Sequence, residues 1–189
     1  MAAAERTPLL RRFRRDARGV SALEFALVAP LLVAMFLATS VLCEALLAQR
    51  RASHVASALG DLVAQATQPL HDSDMNDIWS AAHVMMQPFP TDGLQLRLTS
   101  ITADANRTAK VDWSNVPAGQ VGLQPLTTGS TVTTLPTGVV VNAGDSVVMA
   151  EARYHFVSPS NAFLTNGLDY SEVFYLKPRQ GTTIQRQSP

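Results

Sequence analysis

Hydrophobic and polar positions fall into three regimes along the chain. From Phe25 to Cys43, 19 consecutive residues carry no charged side chain. At 1.5 Å per residue, a run of about 20 crosses a hydrocarbon core of about 30 Å. Past Arg50 and Arg51 the pattern takes a helical period: Ala52, Val55, Leu59, Leu62 and Ala66 recur at spacings of three and four, while Ser53, Ser57, Asp61 and Gln65 take the other side. The two regimes together predict one helix from near Val20 that Pro69 ends, about 45 residues or roughly 70 Å long. Its first half suits lipid and its second half suits the face of a folded domain. The expected division is a basic leader at 1–19, a transmembrane helix at 20–48, an amphipathic extension at 49–68 and an exported globular region at 69–189.

The third regime, from Leu70 on, is long enough to bury a core. Asp72 and Ser73 are placed to cap a helix containing Ile78, Ala81, Ala82 and Met85, which must end before Pro88 and Pro90. Leu94, Leu96 and Leu98 alternate, as do Val148, Ala150, Ala152, Tyr154 and Phe156; residues 110–114 and 172–176 predict two shorter strands. Between Pro117 and Gly144 a Thr-, Gly- and Pro-rich stretch predicts a long loop with one edge strand at Val139 to Val141. The expected class is α+β: a long N-terminal helix packed on a small, mainly antiparallel sheet.

Charge fixes an expected orientation. The first 18 residues hold six Arg against Glu5 and Asp16, a net of +4, and the rest of the chain carries the compensating −4. Positive residues beside a span stay cytoplasmic, so Arg11, Arg12, Arg14, Arg15 and Arg18 place the tail inside and the C-terminal region outside. A basic tail explained by topology does not argue for nucleic acid, and no aromatic-basic interleaving appears elsewhere. Membrane lipid is the first expected partner.

One carboxylate breaks the apolar pattern. Glu24 stands at the start of the uncharged run, where an ionisable group costs a few kcal/mol unless it finds a partner. A plain anchor gains nothing from it, although a glutamate snorkelling to the interface would be tolerated. Pro30 lacks an amide hydrogen and predicts a kink or local opening of the span, useful on leaving the bilayer or merely tolerated in it.

The segment Arg18-Gly19-Val20-Ser21-Ala22-Leu23-Glu24-Phe25 resembles the processing site of type IV pilin-like proteins, in which a membrane peptidase cuts after the glycine. The following Ala26-Leu27-Val28-Ala29-Pro30-Leu31-Leu32 resembles the TadE/TadG-related proteins of the tight-adherence (Flp) pilus system. A looser likeness continues through Ser57 to Gln65, Val111 to Ser114 and Tyr175 to Arg179. The resemblance implies a pilin-like fold and a pseudopilin or minor pilin of the bacterial inner membrane, matured by a prepilin peptidase between Gly19 and Val20. Its implied partners are other pilins and pseudopilins and the inner-membrane assembly platform. The major Flp pilins are very short and carry Glu-Tyr, so Glu24-Phe25 ahead of a large exported region points away from the main fibre subunit.

Each part of that site has a physical reason. Gly19 has no side chain to obstruct a protease cleft. Cleavage would leave the Val20 ammonium about one helical turn from its own Glu24 and available to the Glu24 of a neighbouring subunit. An ion pair in a low-dielectric setting is far stronger than in water and sets axial register between helices, which makes Glu24, with Phe25 beside it, an assembly residue.

Competing readings are weaker. The uncharged run exceeds the usual 7 to 15 residues of a secretory signal core, Leu42 spoils a lipoprotein reading of Cys43, and Phe13 falls one position early for a twin-arginine signal. The lone Cys43 forms no internal disulfide and is expected to be a small apolar packing residue near the outer end of the span. His54, His71, His83 and His155 share no metal-ligand spacing, and no nucleophile elbow or phosphate loop occurs. The acidic stretch from Asp72 to Asp77 opens like a calcium loop, but Asp77 stands where Gly is needed and His83 where the closing Glu belongs. Trp79 and Trp113 are expected in the core or at its edge. No metal, cofactor or catalysis is expected; the alternatives are an unprocessed single-pass scaffold with a periplasmic binding domain and, less well supported, a membrane-tethered hydrolase.

Overall fold

The computed structural model describes residues 19–140, 142–158, 165–179 and 183–187. Helix α1 runs Val20–Ala64 and α2 Asp72–Met86, followed by strands β1 (Leu94–Ala103), β2 (Ala109–Asn115), β3 (Ser146–Phe156) and β4 (Leu168–Leu176). The chain divides into two compact units, Met1–Cys43 and Glu44–Pro189. The fold is α+β, as the pattern predicts.

All strand pairings are antiparallel, in the order β2-β1-β3-β4. The alternating residues Leu96, Leu98, Val148, Ala150, Ala152, Tyr154 and Phe156 form one face, and the second part of α1 packs on it through Ala45, Ala48, Ala52, Val55, Ala56, Leu59 and Val63. Small residues let the helix axis approach closely. At Gly60 a Cβ would collide with Leu176 Cδ1 and stand 3.0 Å from Ala150 Cβ. α2 adds Met75, Ile78, Trp79, Ala82 and Met86 to the same core.

Three local expectations need correction. Leu62 is not on the buried stripe: it is 46% exposed while Val63 is fully buried. Successive residues turn about 100° at 3.6 per turn, and the stripe through Leu59 reaches the sheet at the fourth step. The α2 cap lies one residue earlier than Asp72, at His71, whose backbone N–H donates to Asp74 Oδ2 at 2.8 Å. The run at Val139 to Val141 makes no strand in its described part; Val139 and Val140 pack on Ile101, Val147 and Met149 of the opposite sheet face, and Val141 lies outside the described residues. The pairing occurs earlier in the loop instead, where Thr131 bridges Lys110 and hydrogen bonds from residues 129–132 seal the outer edge of β2.

α1 stops five residues before Pro69 because the closing segment receives its end: the amide of Arg179 donates to the carbonyl of Ala64 at 2.8 Å. The segment then returns past Leu70, whose N–H donates to Gln185 and whose carbonyl accepts from Gln187. Between β1 and β2 a bulge at Asp112 turns its carboxylate to accept from Ser100 Oγ (2.9 Å) and Thr102 Oγ1 (2.7 Å).

Candidate functional site

Gly19 immediately precedes α1, and nothing lies within 4 Å of where its Cβ would stand. Val20 begins the helix, and Glu24 follows it on the same face one turn on. Glu24 and Phe25 are exposed, Phe25 to 71%, and the Glu24 carboxylate has no partner among the described residues. Ala22, Leu23 and Ala26 around them are strong helix formers, so the helix forms locally while its side chains point outward.

α1 continues through Pro30, which is exposed and offers no N–H to the carbonyl of Ala26. Thr39 hides its hydroxyl by donating Oγ1–H to the Met35 carbonyl at 2.8 Å, the internal bond a polar side chain needs in lipid. The apolar stretch is almost wholly surface rather than core. Cys43 is also exposed, which corrects its expected place as a packing residue. Arg11, Arg12, Arg14, Arg15 and Arg18 lie outside the described residues.

Within Glu44–Pro189 the sheet face away from the helix carries polar clusters that sequence periodicity did not single out. Glu151 is buried and takes Nε and Nη2 of Arg97 on one oxygen and Nη2 of Arg153 on the other. Arg97 also donates to the Gln124 carbonyl at 2.8 Å, tying the long loop to the sheet. The only sequence signal was that Arg97 and Glu151 occupy outward positions of two alternating strands that turn out to be paired.

Nearby, His155 Nδ1 meets Asp169 Oδ1 at 2.7 Å, and the other ring nitrogen lies against Gly167. These two line an open cleft of about 520 Å³ with Gln95, Gly122, Arg153 and Ser171. Burial raises the phenols of Tyr154, Tyr170 and Tyr175 above their ordinary value. Trp79 and Trp113 are both core residues. Asp72 pairs with Arg186, and among the described residues no three His, Cys, Asp or Glu side chains are grouped to hold a metal.

One long, exposed apolar helix ahead of an α+β region fits a single-pass membrane protein. Residues 19–60 match the family model of the TadE-like proteins, a pilus structural and assembly family, so this segment is TadE-like and the chain fits a protein associated with the tight-adherence pilus. No curated protein and no solved structure matches the chain.

Proposed function

We propose that this chain is a pseudopilin or minor pilin of a tight-adherence pilus, cut by a prepilin peptidase between Gly19 and Val20. The observation that carries the reading is the coincidence of three features at one place: the TadE-like match begins at Gly19, a residue with no side chain directly before the helix, and Glu24 one turn into that helix is exposed and without a partner among the described residues. Leaving a carboxylate at the head of an apolar helix is costly unless another group comes to it. The Val20 ammonium of a neighbouring subunit supplies such a group. The basic residues before Gly19 then stay cytoplasmic, the span crosses the inner membrane, and the exported region faces the periplasm and the other pilus subunits. Phe25 and the apolar side chains beside it supply packing between helices, and Pro30 a bending point in the span.

N-terminal mass spectrometry of the protein isolated from its native membrane tests this. The expected mature chain begins at Val20; a chain retaining Met1 to Gly19 assigns it instead to an unprocessed single-pass scaffold.

A further inference from the structure

Within Glu44–Pro189 the two ends of the sheet expose different chemistry. Gln49 Nε2 donates to Glu172 Oε1 at 3.3 Å and Gly60 faces Leu176, so α1 and β4 run in the same direction and the Leu168 end of β4 lies toward Glu44. Antiparallel pairing then sets Phe156 of β3, Leu94 of β1 and Asn115 of β2 on that side too. With them come Val157 and the connections at 87–93 and 116–122. The opposite end carries the turn at 104–108, residues 142–145, and Lys177 to Arg179.

Exposed large apolar side chains collect at the Glu44 end. Val121 is 84% exposed and Val157 56%; Val84 in the last turn of α2, and Leu46 and Leu47 on α1, are exposed there as well. The Glu44 end also exposes the carboxylates of Glu44, Asp92 and Asp169; the opposite end exposes Asn106, Arg107, Asn142, Lys177 and Arg179, with Leu62 its one comparable apolar residue among those described. Apolar surface left in water is unfavourable by about 25 cal/mol per Å², and clustering of such surface marks a contact.

Chain length says what the contact is. The uncharged run ends at Cys43, and Ala45 is already part of the domain core. Nineteen residues at 1.5 Å each fill a hydrocarbon core of about 30 Å. No spacer separates that core from the fold, and the headgroup layer adds only about 5–7 Å on each side. Arg50 and Arg51, both exposed, fall at the depth where long basic side chains reach phosphates.

We infer that the Glu44 end of the exported domain is seated on the phospholipid surface of the bilayer that the apolar run crosses, with Val121 and Val157 inserted shallowly among the headgroups. This rests on the membrane-spanning reading of the run and goes beyond it: the domain is held against the bilayer by a lipid contact of its own, which must be broken when the protein leaves the membrane.

The test uses the full chain in vesicles of phosphatidylethanolamine and phosphatidylglycerol, with Cys43→Ser as background and single fluorophore labels at Val121→Cys, Val157→Cys, Asn106→Cys and Leu32→Cys. All four positions are exposed, so the labels leave the core intact. Expected are strong quenching of the 121 and 157 labels by a headgroup nitroxide, none at 106, and quenching at 32 by an acyl-chain nitroxide. Quenching at 32 with 121 and 157 behaving like 106 overturns the seating alone. No quenching at 32 overturns the span and the seating with it. Shielding of the 121 label from aqueous iodide that rises with protein-to-lipid ratio, without lipid quenching, assigns this end to a second copy and also overturns the proposal.

Discussion

The indole Nε1–H of Trp113 donates to the carbonyl oxygen of Ile184 at 2.7 Å, with both residues buried. That bond joins β2 to the closing segment of the chain, which also receives the end of α1 at Ala64 and flanks Leu70 on both sides. Residues 183–187 thereby tie β2 to the start of the segment leading into α2.

Replacing Trp113 with Phe keeps most of the apolar volume and leaves the Ile184 carbonyl without its donor. A buried acceptor stripped of its partner costs about 1–3 kcal/mol. Thermal melting of the full chain in nanodiscs should show that loss, and amide exchange should quicken at Leu70 and Gln187 ahead of β3. Unchanged protection at those two amides would show that this tie holds without Trp113.

Gly60→Leu places a branched side chain where even a Cβ strikes Leu176. The helix and sheet must separate at their closest approach, and overpacking of this kind costs about 1–3 kcal/mol or more. The expected result is a lower melting temperature with increased proteolysis of β4. Leu176→Ala should partly restore Gly60→Leu, because it removes the atoms that clash.

Glu151→Ala strands the Arg97 guanidinium at a mostly buried position. Breaking one side of a buried pair costs about 3–5 kcal/mol, whereas replacing both partners by apolar residues is often neutral. The double variant Arg97→Met, Glu151→Leu should therefore melt closer to the parent than Glu151→Ala does. A double variant less stable than the single would mean that the Arg97 bond to the Gln124 carbonyl, rather than the ion pair, supplies the stability.

The turn after β1 is organised by Asp104, whose carboxylate accepts the backbone N–H groups of Thr108 and Asn106 and pairs with Lys110. The Thr108 amide first, then Lys110, hold its carboxyl below the ordinary 3.8. A depressed folded value contributes order that is fully present above the unfolded value and is lost as pH falls through the folded one. Amide chemical shifts of Asn106 and Thr108 should therefore move together in acid, with a midpoint below that of an ordinary Asp. In Asp104→Asn the same amides should show no such transition.

Two substitutions separate processing from assembly. Gly19→Leu puts a bulky side chain before the proposed scissile bond and should leave an uncut precursor in the membrane. Glu24→Gln keeps size and hydrogen bonding while removing the charge, so it should insert with unchanged topology yet fail to support pilus production in a strain lacking the native copy. Wild-type piliation by Glu24→Gln would show that the charge is incidental and favour the unprocessed scaffold.

Much of this protein is written in short-range pattern. A charge-free run of sufficient length makes the apolar helix, and the alternation at Leu94, Leu96 and Leu98 and from Ala150 to Phe156 marks β1 and β3, because a period of two sets one face of a strand toward a core whatever its partner. The TadE-like stretch beginning at Gly19 is equally local, a set of residues at fixed spacing. What tertiary structure decided depends on partners far along the chain. Val63 rather than Leu62 is buried because the sheet sits on that side of α1, and α1 ends at Ala64 because Arg179 returns to meet it. Val139 and Val140 cover the second sheet face instead of adding an edge strand because Thr131 already bridges the β2 edge and Ile101, Val147 and Met149 need a lid. The buried Glu151 is supportable only once pairing brings Arg97 across from β1 to join Arg153 of its own strand, for a buried carboxylate stands only where enough cations and donors converge.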